Sequence, residues 1–366
     1  MKHVASTDTT SPGPAGAAIE TDALIIGAGP VGLFQVFQLG LQEIRAHVVD
    51  SLPRPGGQPV ELYPDKPIYD IPGIPVCTGR GLADALLRQI APFDAAFHLG
   101  QTVRLLQRRE DGRFDVATSR GTRFVSKTVF IAAGVGAFEP RTLKVQGLAA
   151  FEGTQVFHRA SDAPDLAGQR VLVVGGDDAA LEVALKLAAD GPGRAASVTL
   201  LHRRETLQAS ADALAQMRAL CDAGRMRFVV GQVTGAQVQG GRLSAAEVTG
   251  SDGQVQALPL DALLVCLGLS PKLGPIADWG LDLERKQVPV DTATFSTRVP
   301  GLFAVGDINT YPGKKKLILS GFHECTLAAF AAAPIVYPDQ GPPLLQYTTT
   351  SPRLHRLLGV QPPAND

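Results

Sequence analysis

The chain has 366 residues, and at roughly 150 residues per domain this length predicts two domains or one large one. Apolar residues make up 45% and charged residues 19%, and the formal net charge is −1. This balance excludes an acidic or basic polyelectrolyte and gives no overall bias toward nucleic acid. The 39 glycines and 27 prolines are dispersed among apolar runs, which predicts many short turns and is typical of an α/β protein.

The N-terminal segment, residues 1–18, is small and polar, and it lacks the apolar stretch of a secretory signal. We expect it to be a disordered arm. In the rest of the chain, no apolar run of about eighteen residues is free of charge, so we expect no helix that spans a bilayer. The expected protein is soluble and cytoplasmic.

Residues 19–50 predict a strand, a glycine turn, a helix and a second strand, which form a βαβ unit. Gly27, Gly29 and Gly32 fit the GxGxxG pattern, and Asp50 ends the second strand. The first glycine turns the chain, the second admits a pyrophosphate, and the third lets the helix approach the strand. The helix N-terminus favours phosphates, and Asp50 would accept from ribose hydroxyls. The segment therefore predicts a dinucleotide site.

A second βαβ unit begins at residue 169, with Gly175 and Gly176 in its turn but Asp177 at the position of the middle glycine. If the carboxylate faces phosphates at about 5 Å, it repels them by roughly 3 kcal/mol. The alternative is that Asp177 turns away and caps the helix. We favour a partial repulsion.

The strand of this second unit ends in His202, Arg203 and Arg204, where an NAD-binding unit usually has an acidic residue. Guanidinium groups suit a ribose 2′-phosphate, which favours selection of NADP. The alternative is a solvated basic turn.

The two halves of the chain resemble each other. An apolar run that ends in small residues at 124–134 is repeated at 262–268. Residues 301–308 predict a short strand running into an acidic residue, and a helix of small residues follows from about 319 to 333. The predicted fold class is α/β, with two Rossmann-like three-layer nucleotide-binding domains.

The order of several motifs resembles one family closely. The motifs are GAGPVG at 27–32, GGQ at 56–58, LYPDK at 62–66, YDIPG at 69–73, HRR at 202–204 and GDINTYPGKKKLI at 306–318. This sequence is similar to the thioredoxin-reductase-like ferredoxin:NADP reductases. The resemblance implies a homodimer with FAD in a discontinuous domain, residues 19–143 and 290–350. It places NADPH in an inserted domain, residues 144–289, before a C-terminal tail at 351–366.

The resemblance also implies roles for individual residues. On the FAD side, these are Gly27, Gly29 and Gly32 at the pyrophosphate, Asp50 at the ribose, Gln58, Tyr63 and Tyr347 at the flavin, Val103 and Phe138 nearby, Asp307 at the ribityl or pyrophosphate region, and either Thr348 or Thr349 at the flavin. On the NADPH side, they are Gly175, Gly176, His202, Arg203 and Arg204. Tyr63 and Tyr347 are expected to stack on the flavin ring.

The four cysteines, Cys77, Cys221, Cys266 and Cys325, form no CxxC pair and have no metal-ligand spacing. The seven histidines are scattered, so we expect no metal site. Because a dithiol relay needs two neighbouring thiols, the flavin is expected to deliver electrons directly to a one-electron protein carrier. We therefore name no catalytic side chain.

The expected function is FAD-dependent electron transfer between NADPH and ferredoxin or flavodoxin, with no nucleic acid or membrane partner. The lysines at 314–316 are either a solvated face or a patch that attracts an acidic ferredoxin. Two alternatives stay open. One is an NADPH diaphorase or quinone reductase on the same fold, and the other is a flavin-binding regulatory protein whose NADP site has decayed.

Overall fold

A computed structural model of the protein describes residues 17–341 and 343–360, except for the side chains of Phe138 and Ser161. Most of the predicted N-terminal arm and the last six residues of the tail therefore lie outside the described residues. The described chain divides into two compact units, one made of the described residues before 138 and after 270, and the other made of residues 138–270.

The strands within the described residues are β1 (Ile19–Ile26), β2 (Ala46–Val49), β3 (Pro67–Ile68), β4 (Cys77–Thr78), β5 (Ala96–His98), β6 (Val103–Arg108), β7 (Phe114–Thr118), β8 (Arg123–Ile131), β9 (Ala137–Pro140), β10 (Val156–Phe157), β11 (Arg170–Val174), β12 (Ser197–His202), β13 (Met226–Val230), β14 (Gln232–Gln239), β15 (Arg242–Thr249), β16 (Val255–Pro259), β17 (Ala262–Val265), β18 (Leu269–Lys272), β19 (Val288–Pro289), β20 (Leu302–Ala304) and β21 (Asn309–Thr310). The α-helices are α1 (Pro30–Leu41), α2 (Gly57–Leu62), α3 (Gly79–Ile90), α4 (Asp178–Ala188), α5 (Ala211–Asp222), α6 (Ile318–Val336) and α7 (Pro352–Leu358).

The first unit is built on a sheet with the order β5-β2-β1-β8-β7-β6, and β20 also pairs with β8. The strands β5, β2, β1, β8 and β20 run parallel, while β7 and β6 form an antiparallel extension. Alternate side chains of β1 point to opposite faces, as the strand period of two requires. Ile25 packs with α1, α3 and α6 on one face, and Leu24 packs with the β6–β7 layer on the other.

The second unit repeats this plan with a parallel sheet of order β10-β17-β11-β12-β13. Val173 of β11 packs with α4 and α5 on one face. Leu172 packs on the other face with the antiparallel sheet β14-β15-β16. Both faces of each central sheet are thus covered, which is the three-layer α/β architecture that the sequence predicts.

The division between the units falls at 137/138 and 270/271, whereas the sequence prediction placed it at 143/144 and 289/290. Residues 271–289 belong to the first unit because their apolar side chains fill its core. Ile276 is buried in the cluster that holds β6 and β8, and the Trp279 indole N–H donates to the Arg104 carbonyl at 3.4 Å.

Helix α6 is long and apolar enough to cross a membrane by length and composition alone, which is weak evidence because core helices pass the same test. The sequence predicted no membrane-spanning helix because no apolar run of about eighteen residues is free of charge, and α6 contains Glu324. Cys325, Ala328 and Ala332 of α6 are fully buried in the core of the first unit, and the Gln35 amide of α1 donates to the Cys325 carbonyl at 3.3 Å. Within the described residues, α6 is the central helix of this unit.

A histidine pair links β2 to the edge strand β5. His47 Nδ1 and His98 Nε2 are 2.9 Å apart, the two rings stack, and both lie against Phe124. Burial lowers the pKa of both imidazoles from 6.5, and the neighbouring His98 lowers the pKa of His47 further.

The pair makes stability depend on pH, because the unfolded chain binds more protons than the folded one below pH 6.5. We expect the contribution of this pair to the free energy of unfolding to be fully present above that pH. It should be lost as the pH falls through the lowered pKa values of the two histidines. Urea unfolding of wild type and His98→Gln on both sides of pH 6.5 measures this, and the variant should lose less stability on acidification. His323→Gln, at an exposed position, is the control; an equal loss in wild type and His98→Gln would contradict the prediction.

Candidate functional site

The turn between β1 and α1 depends on two glycines for packing reasons. Gly27 has φ +115°, and a Cβ there would lie 2.4 Å from the Ala132 carbonyl oxygen. A Cβ on Gly32 would lie 1.8 Å from the Gly27 carbonyl oxygen, well inside contact distance. These two glycines therefore allow the first turn of α1 to approach the sheet, as the sequence predicts.

Gly29 is different, because the protein itself does not require a glycine there. Its φ is −72°, and a Cβ would meet only the Gly57 Cα, at an ordinary 3.8 Å. Gly29 is the N-cap of α1, no side chain caps the helix, and its first turn has no acidic residue. A ligand that approaches the backbone explains this glycine, and the N-terminal N–H groups of α1 suit a pyrophosphate. These residues fit a dinucleotide.

A second glycine turn lies against the first. Gly57 has φ +59°, and a Cβ on it would be 2.6 Å from the Gly29 Cα. This contact places the start of α2, with the half-buried Gln58, beside the β1–α1 turn. The structure therefore brings together two motifs that are separated along the sequence.

Asp50 directly follows β2, and its carboxylate is almost fully buried. Its Oδ2 accepts from the Ala28 N–H at 2.5 Å, and its Oδ1 accepts from the Leu52 N–H at 2.7 Å. Burial raises the pKa of Asp50, and the two N–H donors oppose that rise. Asp50 therefore ties the glycine turn to β2, a structural role that sequence reasoning missed, and it keeps acceptor capacity for ribose hydroxyls.

The Gly306–Ile308 turn after β20 reaches the same helix start. A Cβ on Gly306 would lie 3.2 Å from Val31 Cγ1, and one on Gly321 would lie 2.4 Å from Val31 Cγ2. Burial raises the pKa of the half-buried Asp307, whereas Lys314 and Lys316 oppose that rise. A third predicted motif therefore meets the first turn of α1.

Burial raises the pKa of Tyr63, and the charges of Asp307 and Asp70 raise it further. The other predicted flavin-side residues whose side chains are described do not lie among the turns that meet at the start of α1. Val103 is buried in the core of the first unit. Tyr347, Thr348 and Thr349 are exposed, and the Thr348 carbonyl accepts from the His355 ring at 2.7 Å. Their contact with the flavin, like that of Phe138, stays a prediction.

In the second unit, packing explains the glycines of the β11–α4 turn. A Cβ on Gly175 would lie 2.4 Å from the Cys266 carbonyl oxygen, and one on Gly176 would lie 2.6 Å from His202 Cδ2. The His202 ring is held by the Arg204 carbonyl at 2.9 Å from Nδ1. Arg203 and Arg204 directly follow β12 and are exposed.

Asp177 adopts the capping geometry. It is the N-cap of α4, and its Oδ1 accepts from the Ala180 N–H at 3.0 Å. Of the two orientations that the sequence left open, the structure shows this one. The carboxylate nevertheless lies at the helix N-terminus, where a pyrophosphate would bind. The two glycine turns therefore differ in charge.

Four polar residues near the Gly306–Ile308 turn were not identified from the sequence, or were given another role. Glu324 of α6 is fully buried, and it accepts hydrogen bonds from Asn309, Tyr311 and Lys314. The Lys314 side chain is only 6% exposed, so its assignment to a solvated or ferredoxin-attracting patch is wrong. Lys315 and Lys316 are exposed. A glutamate within a helix that has no other Asp, Glu, Lys or Arg was the one available signal for this network.

Two βαβ units with glycine turns define an α/β protein built to bind two dinucleotides. A family model described as pyridine nucleotide-disulphide oxidoreductase matches residues 21–329. A protein named ferredoxin--NADP reductase from Polaromonas naphthalenivorans (strain CJ2) is 63% identical over 348 residues, which cover 95% of each chain. Another of that name from Albidiferax ferrireducens is 64% identical over 348 residues, 95% of this chain and 98% of that one.

Among solved structures, thioredoxin reductase from T. acidophilum matches with a TM-score of 0.55 at 21% identity, over 86% of this chain and 98% of that chain. This likeness concerns the fold alone. The chain belongs to the pyridine nucleotide-disulphide oxidoreductase family, in the branch of the ferredoxin--NADP reductases it matches.

The contrast between Gly29 and Gly32 gives a test of which glycine serves a ligand. Gly29→Ala adds a Cβ that the protein tolerates, so we expect unchanged thermal stability of the flavin-free protein and FAD binding weakened about tenfold or more. Gly32→Ala should instead destabilise the fold itself. Differential scanning calorimetry and fluorescence titration with FAD measure the two effects. Gly193→Ala, which adds a Cβ in open space in the second unit, is the control.

If Gly29→Ala binds FAD as tightly as wild type, the β1–α1 turn does not hold the pyrophosphate.

Proposed function

We propose that the protein transfers electrons between NADPH and ferredoxin through bound FAD, as a ferredoxin--NADP reductase. The observation that carries this proposal is the β1–α1 turn, where Gly29 leaves space that the protein does not use and the first turn of α1 has no acidic residue. Relatives more than 60% identical over 95% of the chain are named for this activity. Their names extend the proposal from a dinucleotide site to a reaction.

The first unit binds FAD and the second binds NADPH. When bound, FAD supplies the conversion between two-electron hydride transfer and one-electron transfer. In the first unit, α1 and Gly29 hold the pyrophosphate, Asp50 the adenosine ribose, and Asp307 the ribityl or pyrophosphate region. The remaining flavin-side residues of this proposal are Gln58, Tyr63, Val103, Phe138, Tyr347 and one of Thr348 and Thr349.

In the second unit, Arg203 and Arg204 receive the ribose 2′-phosphate, which distinguishes NADPH from NADH. Both guanidinium groups are exposed at the end of β12, and charged hydrogen bonds of this kind contribute about 1.5–3 kcal/mol each. The acidic residue that would bind an unphosphorylated ribose is absent from this position.

The electron carrier is ferredoxin or flavodoxin, and the protein acts as a cytoplasmic homodimer. The cysteines lack the CxxC spacing of a dithiol relay, which supports direct transfer from the flavin to a protein carrier. The exposed Lys315 and Lys316 lie in the segment between the Gly306–Ile308 turn and α6, and their charge favours an acidic partner.

One observation favours a second candidate, a flavin-binding regulatory protein. The Asp177 carboxylate caps α4 at the place where the NADPH pyrophosphate would bind, so a protein with a decayed coenzyme site is the alternative.

Anaerobic titration of the flavin-loaded protein tests the proposed function. We expect NADPH to bleach the flavin absorbance, NADH to do so far less, and oxidised ferredoxin to restore it. If small quinones reoxidise the bleached flavin much faster than ferredoxin or flavodoxin does, the protein is a diaphorase. If NADPH does not reduce the flavin, the proposal is overturned, and the hypothesis of a flavin-binding regulatory protein is favoured.

The charge at the start of α4 can be separated from its capping role. Asp177→Asn keeps the side-chain oxygen that caps the helix but removes the negative charge, because asparagine caps as well as aspartate. We expect the NADPH dissociation constant to fall about tenfold, with thermal stability unchanged. Asp177→Gly should tighten NADPH as well but lower the stability. Equal or weaker binding by Asp177→Asn would mean that the carboxylate does not oppose the phosphates.

A further inference from the structure

The carboxylate of Glu324 is fully buried in α6 and is surrounded by donors. Its Oε2 accepts from the Gly306 N–H at 2.6 Å and from the Asn309 amide at 2.8 Å. Its Oε1 accepts from the Tyr311 hydroxyl at 3.0 Å and from the Lys314 ammonium. A carboxylate offers about four acceptor positions, so this one is saturated.

All four donors lie in the segment between β20 and α6. A further hydrogen bond joins the network to Gly306. The Lys314 ammonium also donates to the Gly306 carbonyl at 2.9 Å. The backbone N–H of Gly306 is thus held by Glu324, and its C=O is held by Lys314. The ion pair clamps Gly306 from both sides, and Gly306 directly precedes Asp307.

The clamp faces the first turn of α1. Gly306 has φ +79° and packs on Val31, and Gly321 of α6 packs on the same side chain. The Asn309 amide also donates to the Ala304 carbonyl at 2.9 Å, which joins the end of β20 to the network. Displacement of Glu324 or Lys314 would therefore move the Asp307 turn relative to the helix N-terminus.

Stability alone is a poor explanation for this arrangement. A buried ion pair repays its desolvation only with good geometry, and a well-packed apolar pair of similar volume is often as stable. Because Asp307, which directly follows Gly306, belongs to the proposed FAD site, a positioning role accounts for features that core packing leaves unexplained. The pair also places a positive and a negative charge together, so the clamp adds no net charge beside the flavin.

We propose that Glu324 and Lys314 are positioning residues that hold the Gly306–Asp307 turn against α1 for FAD and keep the charge of that region balanced. The inference rests on the proposed FAD site of the first unit. Neither residue contacts the reacting atoms in this proposal; each acts through the backbone of Gly306.

Three variants test the clamp: Glu324→Gln, Lys314→Met and the double substitution. We expect each single variant to weaken FAD binding about ten- to hundredfold, since each loses charged hydrogen bonds at the turn. The flavin potential should rise in Glu324→Gln, where Lys314 keeps an unbalanced positive charge, and fall in Lys314→Met. The double variant should bring the potential back toward wild type while FAD stays weakly bound.

Asp261→Asn is the control, because it breaks an Arg170–Asp261 ion pair in the second unit. We expect no change in FAD affinity or flavin potential there. A role in stability alone would lower the unfolding temperature of the single variants without opposite shifts of the potential.

If the single variants fail to fold, the double variant decides, because removing both partners of a buried pair is better tolerated than removing one. Wild-type FAD affinity in a folded double variant overturns the proposal, as do unchanged affinity and potential in a folded Glu324→Gln. Failure of the proposed function looks different: wild type would bind FAD that NADPH does not reduce, while the measurements of the clamp would still stand.

Discussion

The close approach of α1 to the sheet is the constraint on which the first unit depends. With 1.8 Å between a Cβ at Gly32 and the Gly27 carbonyl oxygen, no side chain fits at the junction. Backbone segments from other parts of the chain can therefore approach the first turn of α1, and both Gly57 and Gly306 pack there. The result is a helix N-terminus enclosed by three turns, each contributing backbone instead of side chains. A pyrophosphate needs such a surface, since backbone N–H groups bind it best at short range.

Features encoded locally could be predicted from the sequence. The two βαβ units, the glycine pattern and Asp50 each lie within a short segment, where apolar period and turn residues determine the structure. The likeness between 124–134 and 262–268 likewise corresponded to matching central strands, β8 and β17. For the same reason the three-layer fold class was correct, because each strand buried on both faces requires a layer on either side.

Features that depend on distant partners could not be predicted. Lys314 lies in a run of three lysines, a pattern typical of solvent, yet its partner is Glu324 in the following helix. Whether a lysine is buried depends on that tertiary pairing, which sequence spacing does not reveal. The sequence left two orientations open for Asp177 and favoured a partial repulsion of the phosphates, whereas the structure shows the hydrogen bond to the Ala180 N–H that caps α4. The second division between the compact units differs from the predicted domain boundary for a similar reason, as residues in 271–289 pack in a core made by strands far away in sequence.

The two glycine turns are related in structure but opposite in charge, and this difference has a functional meaning. The first turn of α1 has no acidic residue, whereas α4 has Asp177 at its cap and Asp178 in its first turn. An anion bound at α1 therefore receives the full attraction of the helix N-terminus, while one at α4 competes with a carboxylate already there. A cofactor that stays through every turnover requires the first kind of site. A coenzyme that must leave after each hydride transfer is better served by the second, provided that Arg203 and Arg204 supply selectivity at the other end of the nucleotide.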